Sequence, residues 1–256
     1  LTSVIEFARQ AFRRELTPSD EQQLRELYEK LRGQGIEHEL AIQLTLARVL
    51  VSPKFLYRLE KAPPGAAVAA VSDDELASRL SYFLWSSMPD TELRQLASQG
   101  KLHEPEILRG QVQRMLRDPK IRRLAQEFGC QWLQIYAFRS LDEKSERHFP
   151  EFIELRGDME EEAVRFLTGI FQEDRPLMDL FDGDATYVND RLAAFYGIPD
   201  VVGPEWRRVE HVKEKGRGSI LGLAATLAKN SGASRTSPIL RGTWVSDVIL
   251  GEKLPK

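Results

Sequence analysis

The amino-acid sequence predicts an all-α protein, and three observations indicate this fold class. Apolar residues recur at spacings of three and four in segment after segment, which is the period of a helix. Alternating apolar and polar runs, which are typical of strands, are scarce. Side chains suited to capping stand before several of the periodic segments. We therefore expect a multi-helix array of about ten to twelve helices, with at most a minor β element near residues 205–209.

The first two helices have clear start signals. Ser3 is a suitable cap for the segment VIEFARQAFRRE that follows it. Thr17 and Pro18 supply a hydroxyl cap and a proline at the first helical position of the next helix. That second helix is expected to stop at Gly33.

A third helix is predicted over residues 36–51, before Pro53. Its apolar residues recur at the helical period and are expected to form the stripe that faces the core. They are Leu40, Leu44, Ala47 and Leu50.

The stretch KAPPGAAVAAV, residues 61–71, is rich in Pro, Gly and Ala and is the best candidate for a linker. Ser72 and Glu75 then form a capping box that opens the next helix. Further helices are predicted over residues 91–99, 105–117, 120–135, 149–171, 191–196, 219–229 and 238–250. The predicted organisation is an N-terminal three-helix unit (1–61), a central helical domain (62–199) and a C-terminal helical unit (200–256).

Composition restricts the class of protein. The formal net charge of −3 gives no global field that would attract nucleic acid, so we expect no nucleic-acid partner. No apolar run reaches the ~18 residues of a membrane-spanning helix. Cys130 is the only cysteine, which excludes an internal disulfide, and its setting beside Trp132 indicates a buried thiol. Because the chain begins without Met, we expect it to be an internal piece of a longer protein.

The stretch SRTSPILRG, residues 234–242, is the leading candidate for a binding site. Ser237 and Pro238 predict a capped helix start with free backbone N–H groups. Arg235 before the cap and Arg241 one turn inside place positive charge where it opposes the helix dipole. An anion would reconcile these charges, held by the amides, by the hydroxyls of Ser234 and Thr236 and by the guanidinium groups.

This anion could be a carboxylate of another domain, a phosphate or sulfate, or a haem propionate. The alternative is that Arg235 and Arg241 pair with Asp247 or with other acids of the chain.

Other polar segments favour structural interpretations. DGDATYVND, residues 182–190, lacks the ligand spacing of a calcium loop and indicates a turn before a helix capped by Asn189. Glu160, Glu161 and Glu162 are interpreted, with Asp158, as a solvated face paired to Arg156 or Arg165. The four histidines are isolated, and His148 is the one to test first. No catalytic residue and no metal ligand is assigned.

Several segments together resemble one known family. In chain order they are FARQAFRRELTPSDEQQL, LVSPKFLYRLE, ELASRLSYFLWSSMPDTEL, RMLRDPKIRRLAQEFGCQWLQ, HFPEFIELR and SRTSPILRGTWVSDVILG. They resemble landmarks of large extracytoplasmic proteins of planctomycetes and related bacteria, in which serial domains of unknown function accompany planctomycete-type cytochrome c domains.

The resemblance implies an exported protein with haem c in neighbouring domains and no cofactor within this chain. One haem-bearing segment is expected beyond residue 256. Many relatives carry a histidine before the tyrosine of LAAFYGI, whereas this chain has Phe195.

The leading hypothesis is a non-catalytic helical scaffold or docking module of an exported, haem-c-associated electron-transfer protein. Its partner would be a cytochrome c-type domain or another protein subunit. One alternative is an enzyme, either a haem-linked oxidoreductase or a polysaccharide hydrolase that uses Asp182, Asp184 and Glu151. Another is a structural subunit of a larger assembly, with Trp85, Trp206 and Trp244 as candidates for an exposed apolar face.

Overall fold

The computed structural model describes residues 1–58, 60, 65 and 68–252. Most of the predicted linker, residues 61–71, lies outside the described residues. The described chain is helical with one small two-stranded sheet, so the all-α prediction with a minor β element is confirmed. By contacts it divides into two compact units, Leu1–Met115 and Leu116–Lys256. The predicted boundaries after residues 61 and 199 stay predictions.

The first unit, which we call unit 1, is built from seven helices within its described residues. They are α1 (Thr2–Phe12), α2 (Pro18–Gly33), α3 (His38–Leu50), α4 (Pro53–Leu56), α5 (Asp73–Trp85), α6 (Thr91–Ser98) and α7 (Pro105–Arg117), the last ending just beyond the division.

The capping predictions for α2 and α5 are confirmed. Thr17 Oγ1 accepts a hydrogen bond from Asp20 N, and the Asp20 carboxylate accepts one from Thr17 N. Ser72 and Glu75 form the same reciprocal box at α5. The Ser3 prediction is wrong, because α1 begins at Thr2 and its cap position, Leu1, makes no side-chain bond.

The predicted core stripe of α3 is also wrong. Leu40, Leu44 and Leu50 are exposed, and Ala41, Thr45 and Val49 are fully buried instead. These smaller side chains let α3 approach α1 and α2 closely, and the Thr45 hydroxyl donates to Ala41 O within the helix (2.7 Å).

Arg13 fixes the short helix α4. This residue is buried and left-handed (φ 57°), and its guanidinium donates to the carbonyl oxygens of Lys54, Phe55 and Tyr57. One side chain therefore satisfies the carbonyls at the end of α4, which would otherwise lack partners.

The second unit, unit 2, packs around the 21-residue helix α10. Its helices are α8 (Arg122–Leu124), α9 (Cys130–Trp132), α10 (Phe152–Gln172), α11 (Asp179–Asp182), α12 (Asp190–Tyr196), α13 (Ala224–Lys229) and α14 (Pro238–Trp244). A π-helical stretch, Ala125–Gly129, joins α8 to α9, and another, Val245–Leu250, follows α14.

The sheet of unit 2 pairs β1 (Ala185–Val188) with β2 (Arg207–Glu210) in an antiparallel register that sets Thr186 opposite Val209. The minor β element predicted at residues 205–209 corresponds to β2. Its partner β1 lies in the segment predicted as a turn, while the predicted Asn189 cap of α12 is confirmed by a bond from Leu192 N.

Helix α13 begins five residues later than predicted. Gly218 takes a positive φ of 95°, and Gly222 N donates to Ser219 O, so residues 218–222 form a turn. The Arg217 guanidinium donates to Gly222 O at 2.8 Å and closes that turn. The helical period of the sequence continues through this turn, so the sequence predicts a start for α13 that is too early.

Candidate partner-binding site

The stretch that contains the predicted site begins with a tight turn. Ser231 and Thr236 form an isolated antiparallel bridge, and Gly232 N donates to Arg235 O at 2.9 Å. Ser234, Arg235 and Thr236 are exposed on this turn. The backbone is thus held in place while these three side chains face solvent.

A buried lysine anchors the turn. Lys144 Nζ donates to Ser231 O at 2.7 Å and to Gly232 O at 3.3 Å, and Ser145 N donates to Ala233 O at 2.8 Å. Burial lowers the pKa of Lys144. The Lys144 ammonium donates only to backbone carbonyl oxygens, and these hydrogen bonds fix the turn. The exposed positive charge of the turn is that of Arg235.

Helix α14 follows the turn and begins as predicted. Ser237 Oγ accepts a hydrogen bond from Leu240 N at 3.2 Å, and Pro238 occupies the first helical position. The Ser237 hydroxyl therefore serves as the cap, so its acceptor capacity is directed to the helix. Arg241 lies one turn inside and is partly buried.

Neither arginine is neutralised by an acid among the described residues. No ion pair joins Arg235 or Arg241 to Asp247 or to another described acid, and Arg241 Nε is buried without an acceptor. A guanidinium N–H that is out of water and unbonded is costly. Two cationic side chains near one helix start therefore lack an acidic partner among the described residues.

Apolar side chains stand beside these charges. Ile239 is 81% exposed, and Leu240 is also exposed. We call Ser234–Ser237 together with Ile239, Leu240 and Arg241 the α14 surface. It combines positive charge with uncovered apolar area, which is typical of a protein-binding surface rather than of a site for a small ion.

The acids before β1 have partners within the chain. Lys213 Nζ lies 2.7 Å from Asp182 Oδ1, and His211 Nδ1 lies 3.3 Å from Asp184 Oδ2. A hydrogen bond from Lys213 N, together with the nearby His211, lowers the pKa of Asp184. In the described residues, no group of three His, Cys, Asp or Glu side chains is arranged to hold a metal ion.

The acidic run on α10 divides between surface and core. Glu161 pairs with Arg165 at 2.7 Å, as predicted, and also with Arg122. Glu160 pairs with Arg139. Asp158, also predicted to pair with Arg156 or Arg165, instead pairs with Arg191 at 2.8 Å, and Arg156 donates to Leu141 O.

Glu162, by contrast, is fully buried, so its assignment to a solvated face is wrong. Thr186 Oγ1 and Tyr196 OH each donate to its carboxylate at 2.6 Å, and Ala224 N donates at 3.3 Å. The Arg217 guanidinium lies over the Tyr196 ring, 3.9 Å from its centroid. Burial raises the pKa values of both Glu162 and Tyr196.

The sequence does carry a signal for this buried acid. Leu155, Met159 and Phe166 are buried on α10, and Glu162 continues their spacing of four, three and four. An acid inside an apolar stripe is typically hydrogen-bonded in the core.

The remaining candidates are structural in the described residues. Burial raises the pKa of the Cys130 thiol to about 12, in line with the prediction of a buried thiol. Trp85 and Trp244 are buried, and Trp206 lies beneath the Arg165 guanidinium at 5.2 Å. His148 Nδ1 is 3.0 Å from Ser145 Oγ and is exposed.

Comparison with family models identifies two matches. The model "Protein of unknown function (DUF1592)" matches residues 71–198, half of the 256 residues. The model "Protein of unknown function (DUF1595)" matches residues 2–60. Comparison with curated proteins and with solved structures finds no match. The chain therefore belongs to the DUF1592 family of proteins of unknown function, which occurs with DUF1595 in planctomycete-type, cytochrome c-associated proteins.

Proposed function

We propose that the chain is a non-catalytic helical docking module of an exported, haem-c-associated electron-transfer protein. Its α14 surface binds an acidic group of a neighbouring cytochrome c-type domain, either a carboxylate or a haem propionate. The observation that carries this proposal is the pair Arg235 and Arg241, which no described acid neutralises, on a turn that the buried Lys144 holds in place.

Electrostatics supports an acidic partner. A guanidinium binds a carboxylate through two parallel N–H bonds. No acid among the described residues provides such a partner to Arg235 or to Arg241. Ile239 beside Arg241 supplies apolar area that a small inorganic anion would leave uncovered. A protein carboxylate set in an apolar rim satisfies both groups at once.

The surrounding acids support a non-catalytic role. Of the three acids assigned to a hydrolase, Asp182, Asp184 and Glu151, the first two are engaged within the chain, Asp182 by Lys213 and Asp184 by His211. Glu162 is buried in the core, where its carboxylate accepts hydrogen bonds from three donors. An export route would place the module with its haem partner outside the cytoplasm. No helix among the described residues is both long and apolar enough to cross a bilayer.

The test is the affinity of the chain for the haem-c domain of the same exported protein, measured by isothermal titration calorimetry. Arg235→Ala and Arg241→Ala are each expected to weaken binding about tenfold, and the double variant more strongly. Arg147→Ala is the matched control, because Arg147 is an exposed arginine of unit 2 outside the α14 surface. If the double variant leaves both the affinity for the haem-c domain and the redox potential of its haem unchanged, the docking role of the α14 surface is contradicted.

A further inference from the structure

A small pocket in unit 1, which we call the Asp74 pocket, has a wall of polar side chains. It lies where α1 and the residues after it meet α5 and α6, and its volume is ≈ 200 Å³. Six lining residues are charged, three of each sign: Glu6, Arg9, Arg14, Glu15, Asp74 and Arg94. The other described lining residues carry a hydroxyl or an amide. A wall of this composition suits a small polar molecule rather than an apolar one.

Four of these six charges have opposite charges beside them within unit 1. The ion pairs are Arg9 with Glu6 (3.4 Å), with Glu15 (3.7 Å) and with Glu21 (2.9 Å), and Arg14 with Asp20 (2.8 Å). The charges of α1 and of the residues after it are therefore already balanced.

Asp74 and Arg94 are the two charges left over. Although both line the same pocket, they form no ion pair with each other or with another described residue. Arg94 Nη2 makes only a long hydrogen bond to Thr91 Oγ1, 3.4 Å, and Nη1 makes none within the described chain. Nη1 and the Asp74 oxygens are also not buried, so a molecule in the pocket can reach them.

The electrostatics of Asp74 favours a cation beside it. Partial burial, together with the like charge of Glu15, raises the pKa of the Asp74 carboxyl. This direction is the one expected for a carboxylate that loses water without gaining a partner. A positive group held next to Asp74 would relieve that cost.

We infer that the Asp74 pocket binds a free α-amino acid, whose ammonium pairs with Asp74 and whose carboxylate pairs with Arg94. An ammonium donates to carboxylate oxygens, and a guanidinium donates to a carboxylate through a pair of N–H groups. In an α-amino acid a single carbon atom joins the two charged groups, so one small molecule serves both residues. A simple anion or cation would pair with one of them and leave the other as it is.

The size of the pocket limits the side chain of the ligand. A water molecule takes about 30 Å³ in the liquid, so the ≈ 200 Å³ of the pocket holds a ligand of about six to eight non-hydrogen atoms. L-Serine is of this size, and its hydroxyl suits the polar wall. For so few atoms we expect a dissociation constant on the order of 1 mM. This binding is independent of the α14 surface, which belongs to unit 2.

An NMR titration of the ¹⁵N-labelled 256-residue chain with L-serine, from about 0.1 to 20 mM at constant ionic strength, tests this inference. The amide signals of Asp74 and Arg94 should shift along a saturable curve. Two derivatives test the two charged contacts separately. N-Acetyl-L-serine lacks the ammonium and L-serinamide lacks the carboxylate, so each should bind at least about tenfold more weakly than L-serine.

Two variants assign each contact to its residue. Asp74→Asn should weaken L-serine binding about tenfold and should bind L-serine and N-acetyl-L-serine alike, because the ammonium has lost its partner. Arg94→Gln should weaken binding similarly and should bind L-serine and L-serinamide alike. Glu106→Gln and Arg109→Gln are the matched controls, since both residues are exposed on α7 outside the pocket, and they should bind like the parent.

Three results would overturn the inference. The first is a parent chain that shows no saturable shift up to about 20 mM L-serine. The second is a derivative that binds as tightly as L-serine. The third is a variant of Asp74 or Arg94 that keeps the affinity and the preference of the parent.

Discussion

The hydroxyl of Tyr196 donates a 2.6 Å hydrogen bond to Oε2 of Glu162 in the core of unit 2. Through its carboxylate Glu162 joins α10, on which it lies, to β1 by Thr186, to α12 by Tyr196 and to α13 by Ala224. One buried acid thus links four elements of unit 2. Arg217 over the Tyr196 ring adds positive charge to the same network.

Tyr196→Phe should destabilise the chain. Removing the hydroxyl takes one strong donor from a carboxylate that water cannot reach, at a cost of about 1–3 kcal/mol in the free energy of unfolding. Tyr136→Phe is the control, because Tyr136 is exposed, and it should change the free energy by less than about 0.5 kcal/mol. Urea denaturation measures both. Equal stabilities of the two variants would show that the buried bond contributes nothing.

The stability of unit 2 should depend on the protonation of Glu162. Burial raises its pKa in the folded state, so the folded chain retains a proton that the unfolded chain has lost. The stabilisation of the fold that comes from protonated Glu162 is complete below the ordinary glutamate pKa of about 4.3. It is lost as pH rises toward the pKa of Glu162 in the folded chain.

Relative to Glu162→Gln, which does not titrate, the parent should therefore lose unfolding free energy as pH rises above about 4.3, by at most ~1.4 kcal/mol per pH unit. Urea titrations at several pH values give the difference. A difference that stays constant with pH would mean that Glu162 titrates normally in the fold.

Asp20 should make unit 1 sensitive to acid in the opposite sense. Burial alone would raise its pKa, but hydrogen bonds with Lys54, Thr17 and Arg14 outweigh burial and hold the pKa well below its usual range. Its contribution is present above the unfolded pKa of about 3.9 and is lost as pH falls toward the folded value.

Asp20→Asn should lower the unfolding free energy by about 2 kcal/mol at pH 7. This loss is smaller than that expected for a fully buried ion pair, because Arg14 and Lys54 are partly exposed. The loss should shrink as pH falls below about 4. Glu29→Gln, at an exposed site on α2, is the control and should be neutral. Thermal unfolding followed by circular dichroism measures the stability of both variants. An Asp20→Asn variant as stable as the parent at pH 7 would contradict this prediction.

Gly183 marks a close approach of two backbone segments. A Cβ at this position would lie 2.5 Å from both Asp179 O and Gly218 O. Gly183→Ala should therefore cost about 3 kcal/mol or more, since two backbone segments must move apart.

Gly157→Ala is the matched comparison within unit 2. Gly157 lies inside α10 with nothing within 4 Å of the added methyl group, so alanine should stabilise the helix by about 0.5–1 kcal/mol. A Gly183→Ala variant that melts at the same temperature as the parent or higher would contradict the packing described for Gly183.

Local signals explain how much of the fold the sequence predicted. Helix caps depend on residues three positions apart, so they can be predicted without the tertiary structure. This holds for the caps at Thr17, Ser72, Asn189 and Ser237. The sequence does not predict which side of α3 is buried, because two sides of this helix carry apolar residues and only packing against α1 and α2 decides between them. Strand β1 was missed because its pairing with β2 is a long-range interaction.

The candidate site is likewise predicted from the sequence only in part. The sequence predicts Arg235 and Arg241 as site residues because their positive charges oppose the dipole at a helix start. Lys144, which anchors their turn, lies far away in sequence and gave no signal. Glu162 was overlooked because it stands in an acidic run whose other members do reach solvent.

The most direct test of the proposed function is hydrogen–deuterium exchange of the chain with and without its proposed partner, a cytochrome c-type domain. If the α14 surface is the docking site, amides of residues 231–241 should exchange more slowly in the complex, and the protection should disappear in the Arg235→Ala, Arg241→Ala double variant. Protection confined to other segments, or retained in full by the double variant, would contradict the account.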